Sequence, residues 1–279
     1  MTAPPRACRP HRSQENPVAE PESAYFVPSV DTAARVLAML TRYRTQSCTL
    51  SEITSALDVS KTTCLRVLKT LQAHGLVAFD ATGKRYSLGY YCVVLGSRAQ
   101  ESLDYLAALR PLMRECARRT GHTIVFAQRV PGDRMMYVAK EDSGNPMHIN
   151  VSVGNRFPVT DVSYGKWVLA FADEAERRRL LADGLRQVTP RTRTDPDEYL
   201  AEVARLPERG VLVSRGEYLP GVLAVSCPVL DSSGGLRGVL VALGLSDAVD
   251  EDELDALRSV MREMGTRCRF DGGAPGFTA

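Results

Sequence analysis

Nowhere in this chain of 279 residues is there an apolar run of the ~18 residues that a membrane-spanning helix requires. The longest, at residues 238–245, suits a buried strand instead. Residues 1–28 lack the apolar core of a secretory leader, so the chain is expected to work in the cytoplasm without contact with a membrane. Histidine occurs only four times, and no histidine pairs with an acidic residue at a metal-ligand spacing. The seven cysteines are scattered, odd in number and never form C-x-x-C, which argues against a disulfide framework or a zinc site. No metal and no cofactor is expected. Aromatic residues make up 6% of the chain, with Trp167 as its one tryptophan.

What is present is unevenly distributed. Residues 29–90 hold eight Lys/Arg against four Asp/Glu, while residues 1–28 balance three against three. The remainder is slightly acidic. A small basic module on a near-neutral body points to a polyanionic partner for the N-terminal part. Residues 1–28 also hold six of the sixteen prolines and read as a disordered tail.

From Ser29, placed as a helix cap, apolar residues recur at helical spacing through Val30, Ala33, Ala34, Leu37 and Leu40. A second short helix follows, capped by Thr49 or Ser51. A tight turn at 58–60 leads to a third helix over 61–74, stopped by Gly75. The period then changes to that of a β-hairpin over 76–88. Three helices and a hairpin in about 60 residues describe a winged helix-turn-helix over 29–88.

The third helix has two sides. Cys64, Val67, Leu68 and Leu71 form a core stripe. Thr62, Arg66, Lys69 and Thr70 fall opposite, and Lys61 and Thr63 crowd the N-terminus. Short polar side chains and one long cation suit a helix entering the major groove, where Arg binds guanine O6 and N7 and a Thr methyl meets a thymine methyl. Lys69, with Lys84 and Arg85 on the wing, suits phosphates, which position a protein without reading sequence.

Residues 89–104 form an apolar linker helix that needs a partner. Beyond it, 105–272 alternates helices with strands. Helices are expected at 105–120, 162–172, 174–182, 195–208 and 251–269. Strands are expected at 123–128, 134–140, 147–151, 211–215, 222–230 and 238–245. This is an α+β layout with an antiparallel sheet. Ser163 and Lys166 in it match the S-x-x-K of serine acyl-transfer enzymes, but no S-D-N, Y-x-N or K-T-G element accompanies them. The segment therefore does not read as catalytic.

The chain resembles the IclR family of bacterial transcriptional regulators from about Ser29 to Phe270. The resemblance is carried in the first module by Ser29-Val30-Asp31, by Thr49-Leu50-Ser51-Glu52-Ile53, by Lys61-Thr62-Thr63 with Arg66, Leu71, Gly75 and Leu76, and by Arg85-Tyr86-Ser87-Leu88-Gly89. In the second module, Gly154, Pro158, Gly165 and Lys166 resemble a G-x-x-x-P…GKA signature. Thr189-Pro190-Arg191-Thr192 with Thr194 and Pro196 resembles T-P-x-T…T-x-P. Glu217, Pro220 and Gly221 resemble E-x-x-P-G.

The resemblance implies a winged-helix DNA-binding domain, a dimerising linker helix and a GAF-like effector domain. It implies a dimer, or a dimer of dimers, on a pseudo-palindromic double-stranded operator, acting as repressor or activator. It also implies a small-molecule effector, often an organic or aromatic acid. Carried over by position, the effector would meet Ser163, Tyr164, Ser214, Ala224, Ala242 and Gly244, with Ser226 and Cys227 as weaker additions. Ser163 and Tyr164 would open a helix whose N–H groups face an anion. Tyr164 and Trp167 stand where the family has small residues, so the pocket is narrowed, walled by rings, or plugged.

Overall fold

The computed structural model describes residues 26–42, 45–101, 104–146 and 148–270; residues 1–25 of the tail expected over 1–28, and residues 271–272, lie outside them. The first module contains α1 (Pro28–Leu40), β1 (Cys48–Thr49), α2 (Leu50–Leu57), α3 (Lys61–Ala73), β2 (Val77–Asp80) and β3 (Arg85–Leu88). Ser29 is not the cap of α1. The helix starts one residue earlier, at Pro28, with Val27 extended before it and no side-chain cap. Proline suits a first helical position because its missing N–H would be unpaired there anyway.

At α2 the cap is Thr49, in a reciprocal box: its hydroxyl accepts from the Glu52 N–H, and the Glu52 carboxylate accepts from the Thr49 N–H at 2.7 Å. Ser60 caps α3 by accepting from Thr63 N–H at 3.1 Å. Asp58 between them takes φ +51, the left-handed turn that lets α3 cross back over α2. The stripe Cys64, Val67, Leu68 and Leu71 is buried against Val36, Leu40 and Ile53. The hairpin pairs β2 with β3, and two-residue β1 adds a third strand to it, too short to leave a sequence signal.

α4 (Tyr91–Glu101) and α5 (Asp104–Thr120) lead to a seven-stranded sheet. Its strands are β4 (Thr123–Val130), β5 (Arg134–Glu141), β6 (Arg156–Pro158), β7 (Leu212–Arg215), β8 (Val222–Asp231), β9 (Leu236–Leu245) and β10 (Arg269–Phe270). The order is β10-β8-β9-β4-β5-β6, with β7 also on β8. All pairings are antiparallel except that of β10 with β8. The expected strand at 147–151 does not form over 148–151, and Met147 lies outside the described residues. Ile149 and Val151 instead pack as irregular chain, and β6 takes the edge.

Alternation divides the sheet residues between two layers. Ile124, Phe126, Val225, Cys227, Leu240 and Ala242 face α5 and α9 (Glu251–Arg267). Val125, Ala127, Tyr137, Val239, Val241 and Leu243 face Trp167, Val168 and Leu169 of α6 (Lys166–Phe171) and Tyr199, Val203 and Leu206 of α8 (Pro196–Arg209). The helix expected at 162–172 is shorter than that. Ser163–Gly165 is a 3₁₀ turn, α6 has six residues, and Asp173 caps the separate α7 (Glu174–Leu180). No helix among the described residues is long and apolar enough to cross a membrane.

Candidate DNA interface and ligand layer

The third helix presents the sequence-derived set to solvent. Lys61, Thr62, Thr63, Arg66, Lys69 and Thr70 are all exposed, as is Lys84 on the wing. Two hydroxyls are spoken for locally: Ser60 donates to Thr63 Oγ1 at 2.9 Å, and Thr70 donates to the Arg66 carbonyl at 3.0 Å. Arg66 has no partner among the described residues. Lys69 leans toward the wing, 5.7 Å from the Phe79 ring centroid. A groove of about 400 Å³ between α1 and α3 runs beside this face, lined by Val30, Ala33, Thr63, Arg66 and Thr70.

Arg85 differs from its expected role. Its guanidinium donates to the Ser47 carbonyl at 2.5 Å, to Ser47 Oγ at 3.1 Å and to Glu52 at 3.2 Å. It braces the wing against the α2 cap, so its charge is committed inside the module rather than held out for phosphate.

In the second module the structure brings most of the sequence-derived set onto one face of the sheet and turns three residues to the other. Ser214 pairs with Ala224 and Leu212 with Ser226, so Ser214, Ala224 and Ser226 share one face. The turn holding Ser163 and Tyr164 packs on that same layer. Ala242 and Gly244 lie on the other face. Ala224 pairs with Leu243, so Val241 and Leu243 are the β9 residues turned toward Ser163. A shift of one residue along a strand moves a side chain to the opposite face, and carrying positions over by motif was off by that one residue. Gly244 instead lines a separate cleft of about 430 Å³ with His122, His148 and Leu257. A Cβ at Gly244 would sit 2.4 Å from the His122 ring. Cys227 likewise faces α9.

Rings fill much of the layer. Tyr164 is buried and its hydroxyl donates to Tyr137 Oη at 3.1 Å. Burial pushes the Tyr137 phenol up to about 12 and Tyr164 well above its ordinary value, so both stay neutral. Tyr137 packs at a tilt against Phe157 with centroids 5.1 Å apart, and Phe157 meets Tyr218 edge-on at 5.3 Å. Trp167 is fully buried and donates to Ser226 Oγ at 3.0 Å. Sequence reasoning missed Tyr137, Phe157, Tyr199 and Tyr218, which come from four separate segments.

Lys166, the second member of S-x-x-K, is 1% exposed and clamped by Glu202 at 2.6 Å and Glu217 at 3.0 Å. It lies over the Tyr199 ring at 5.1 Å. Its Nζ donates to both carboxylates, so it is committed to this clamp rather than to Ser163. The clamp continues: Thr189 donates to the Gly216 carbonyl at 2.7 Å, and Thr192 to the Glu217 carbonyl at 2.7 Å. Gly165 abuts the Val159 carbonyl, where a Cβ would stand 1.9 Å away. The GKA, T-P-x-T and E-x-x-P-G segments are therefore parts of one interlocked scaffold.

Both modules of the chain match domains of one family. Residues 29–81 match the IclR helix-turn-helix domain, and residues 97–268 match the bacterial transcriptional regulator IclR C-terminal domain. The chain belongs to the IclR family of bacterial transcriptional regulators. It is a DNA-binding transcriptional regulator and not an enzyme. The HTH-type transcriptional regulator XynR of Escherichia coli strain K12 is 27% identical over 243 residues, covering 86% of this chain and 96% of that protein. An IclR regulator from Alicyclobacillus acidocaldarius superposes with a TM-score of 0.81 at 38% identity, over 88% of this chain and 98% of that one. An IclR homologue from Microbacterium hydrocarbonoxydans, solved with 4-hydroxybenzoate, gives 0.71 at 21% identity, over 85% of this chain and 98% of that one.

Proposed function

We propose that residues 29–88 read a double-stranded operator and that a small metabolite bound in the module spanning 105–272 modulates that reading. α3 enters the major groove, with Lys61, Thr62, Thr63, Arg66 and Thr70 toward base edges and Lys69 and Lys84 toward phosphates. The exposed polar face of α3 carries this reading, and unpaired Arg66 is its centre. Arg66→Ala is expected to weaken operator binding about tenfold and to relax preference at one base pair. Fluorescence anisotropy on a fragment upstream of the protein's own gene measures this. Equal binding by both proteins overturns the assignment. Affinity of the unaltered protein is expected to fall steeply with salt, as phosphate contacts release counterions.

α4 supports a dimer, since Tyr91, Val93, Val94 and Leu95 are exposed on it beside Tyr90. A two-fold pair places its readers at pseudo-palindromic half-sites one helical turn, about 34 Å, or a multiple apart. Replacing Val94 and Leu95 together with Asp is expected to yield monomers by sedimentation and to cost operator affinity. An unchanged sedimentation coefficient removes α4 from the interface.

The effector lies between the sheet and the turn Ser163–Gly165, in a GAF-like arrangement, touching Ser163, Tyr164, Ser214 and Ala224. The homologue solved with 4-hydroxybenzoate supports a small organic ligand. A second reading rests on the burial of Tyr164 and Trp167: these rings fill the layer and the protein regulates without an effector.

A further inference from the structure

Resting on that effector reading, we propose that the layer takes an uncharged ring compound bearing hydroxyl or carbonyl groups, and rejects carboxylates. The polar groups that line it are hydroxyls. Ser163 and Ser214 are buried, and neither side chain has a hydrogen-bond partner among the described residues. The Ala224 methyl stands beside Ser214 in the same row. The Tyr199 hydroxyl, in the same layer, is 2% exposed and unpartnered. Of these three hydroxyls, that of Tyr199 is fully buried and unpaired, a costly state that any neutral donor or acceptor brought to it relieves. The rings of Tyr164, Tyr137, Phe157 and Tyr218 pack on one another at tilted and edge-on angles, an aromatic wall suited to a further ring.

The charges exclude an anion. Lys166 is the buried cation, with the carboxylates of Glu202 and Glu217 against it, and a third buried carboxylate, that of Asp161, lies within electrostatic reach of Tyr199 and Tyr218. The arginines that complete the balance, Arg186 on Asp161 and Arg193 on Glu202, are half exposed, their heads shared with water. A carboxylate entering beside Lys166 adds to these buried negative charges and meets no uncommitted cation there; Arg134, whose charge reaches Tyr218, stands at the other end of the ring run. Desolvation and like-charge repulsion both oppose it. Six-residue α6 supplies little dipole in compensation.

The test uses the full chain at neutral pH, with Trp167 fluorescence and thermal unfolding as readouts. Benzamide and benzoate form one probe pair, and 4-hydroxybenzamide and 4-hydroxybenzoate the other. The amides are expected to raise the melting temperature and shift the fluorescence, with the acids at least about tenfold weaker. Ser214→Ala is expected to weaken amide binding about fivefold without lowering the unliganded melting temperature, whereas loss of a structural hydroxyl would lower it. An acid that binds as well as its amide overturns the proposal. Binding by neither amide also overturns it; if the same sample still binds the operator, the regulator reading stands and the rings plug the layer. Loss of operator binding by the unaltered protein fails the regulator reading instead.

Discussion

Lys166→Ala is expected to destabilise the second module by about 3–5 kcal/mol, the range for stripping one partner from a buried ion pair. The reason is what remains. Glu202 and Glu217 are about 10% exposed at their side chains, and without the ammonium both charges stay buried next to each other. Urea unfolding followed by Trp167 fluorescence gives the difference directly, and the melting temperature falls by about 10 °C. Replacing all three members together, by Lys166→Met with Glu202→Gln and Glu217→Gln, is expected to recover much of the loss, since no uncompensated charge is left. A single Lys166→Ala within 1 kcal/mol of the unaltered protein sinks the clamp as described. Ser163→Ala, by contrast, removes a hydroxyl with no protein partner and is expected to leave unfolding nearly unchanged.

Gly165→Ala is expected to cost about 3 kcal/mol or more by overpacking, through space rather than through backbone conformation. Gly165 has φ −67, open to any residue. The added methyl meets the Val159 carbonyl oxygen at 1.9 Å and its carbon at 2.8 Å, both backbone atoms that cannot rotate away. The turn carrying Ser163 and Tyr164 must then shift, so ligand response falls with stability. Gly96→Ala in α4 is the control. Nothing lies within 4 Å of its Cβ position, and alanine improves helix propensity there by up to about 1 kcal/mol. Comparable losses from both substitutions would remove the steric account.

These two residues show where sequence was a good guide and where it was not. The first module was legible almost throughout, because its signals are local: Thr49 with Glu52, Ser60 with Thr63, and the stripe from Cys64 to Leu71. Ser29 is not the helix start, and Arg85 carries contacts inside the module that its sequence neighbours do not announce. Pro28 displaced the first as the helix start. Arg85 has the composition of a phosphate contact, and nothing in its neighbours reveals that Ser47 and Glu52 hold it. In the second module, strands β4, β5, β8 and β9 announced themselves by apolar runs. Their facing did not follow from those runs, because both faces of β9 are apolar. The pairing of Leu243 with Ala224, not the motif, decides that Ala242 and Gly244 turn away. The aromatic wall comes from β5, β6, the Ser163 turn and the segment after β7, which only the tertiary fold unites.

The clamp also bears on how the chain reaches this structure. Lys166 joins partners 36 and 51 residues away, and Thr189 and Thr192 reach across 27 and 25 residues. Closing loops of that length costs entropy before any contact is made, and topologies rich in such contacts fold slowly. The first module closes over similar separations, 22 residues from Arg35 to Leu57 and 38 from Arg85 to Ser47. Both modules therefore depend on tertiary closure rather than on local helix formation, and breaking the clamp is expected to slow the closing of the second module alone.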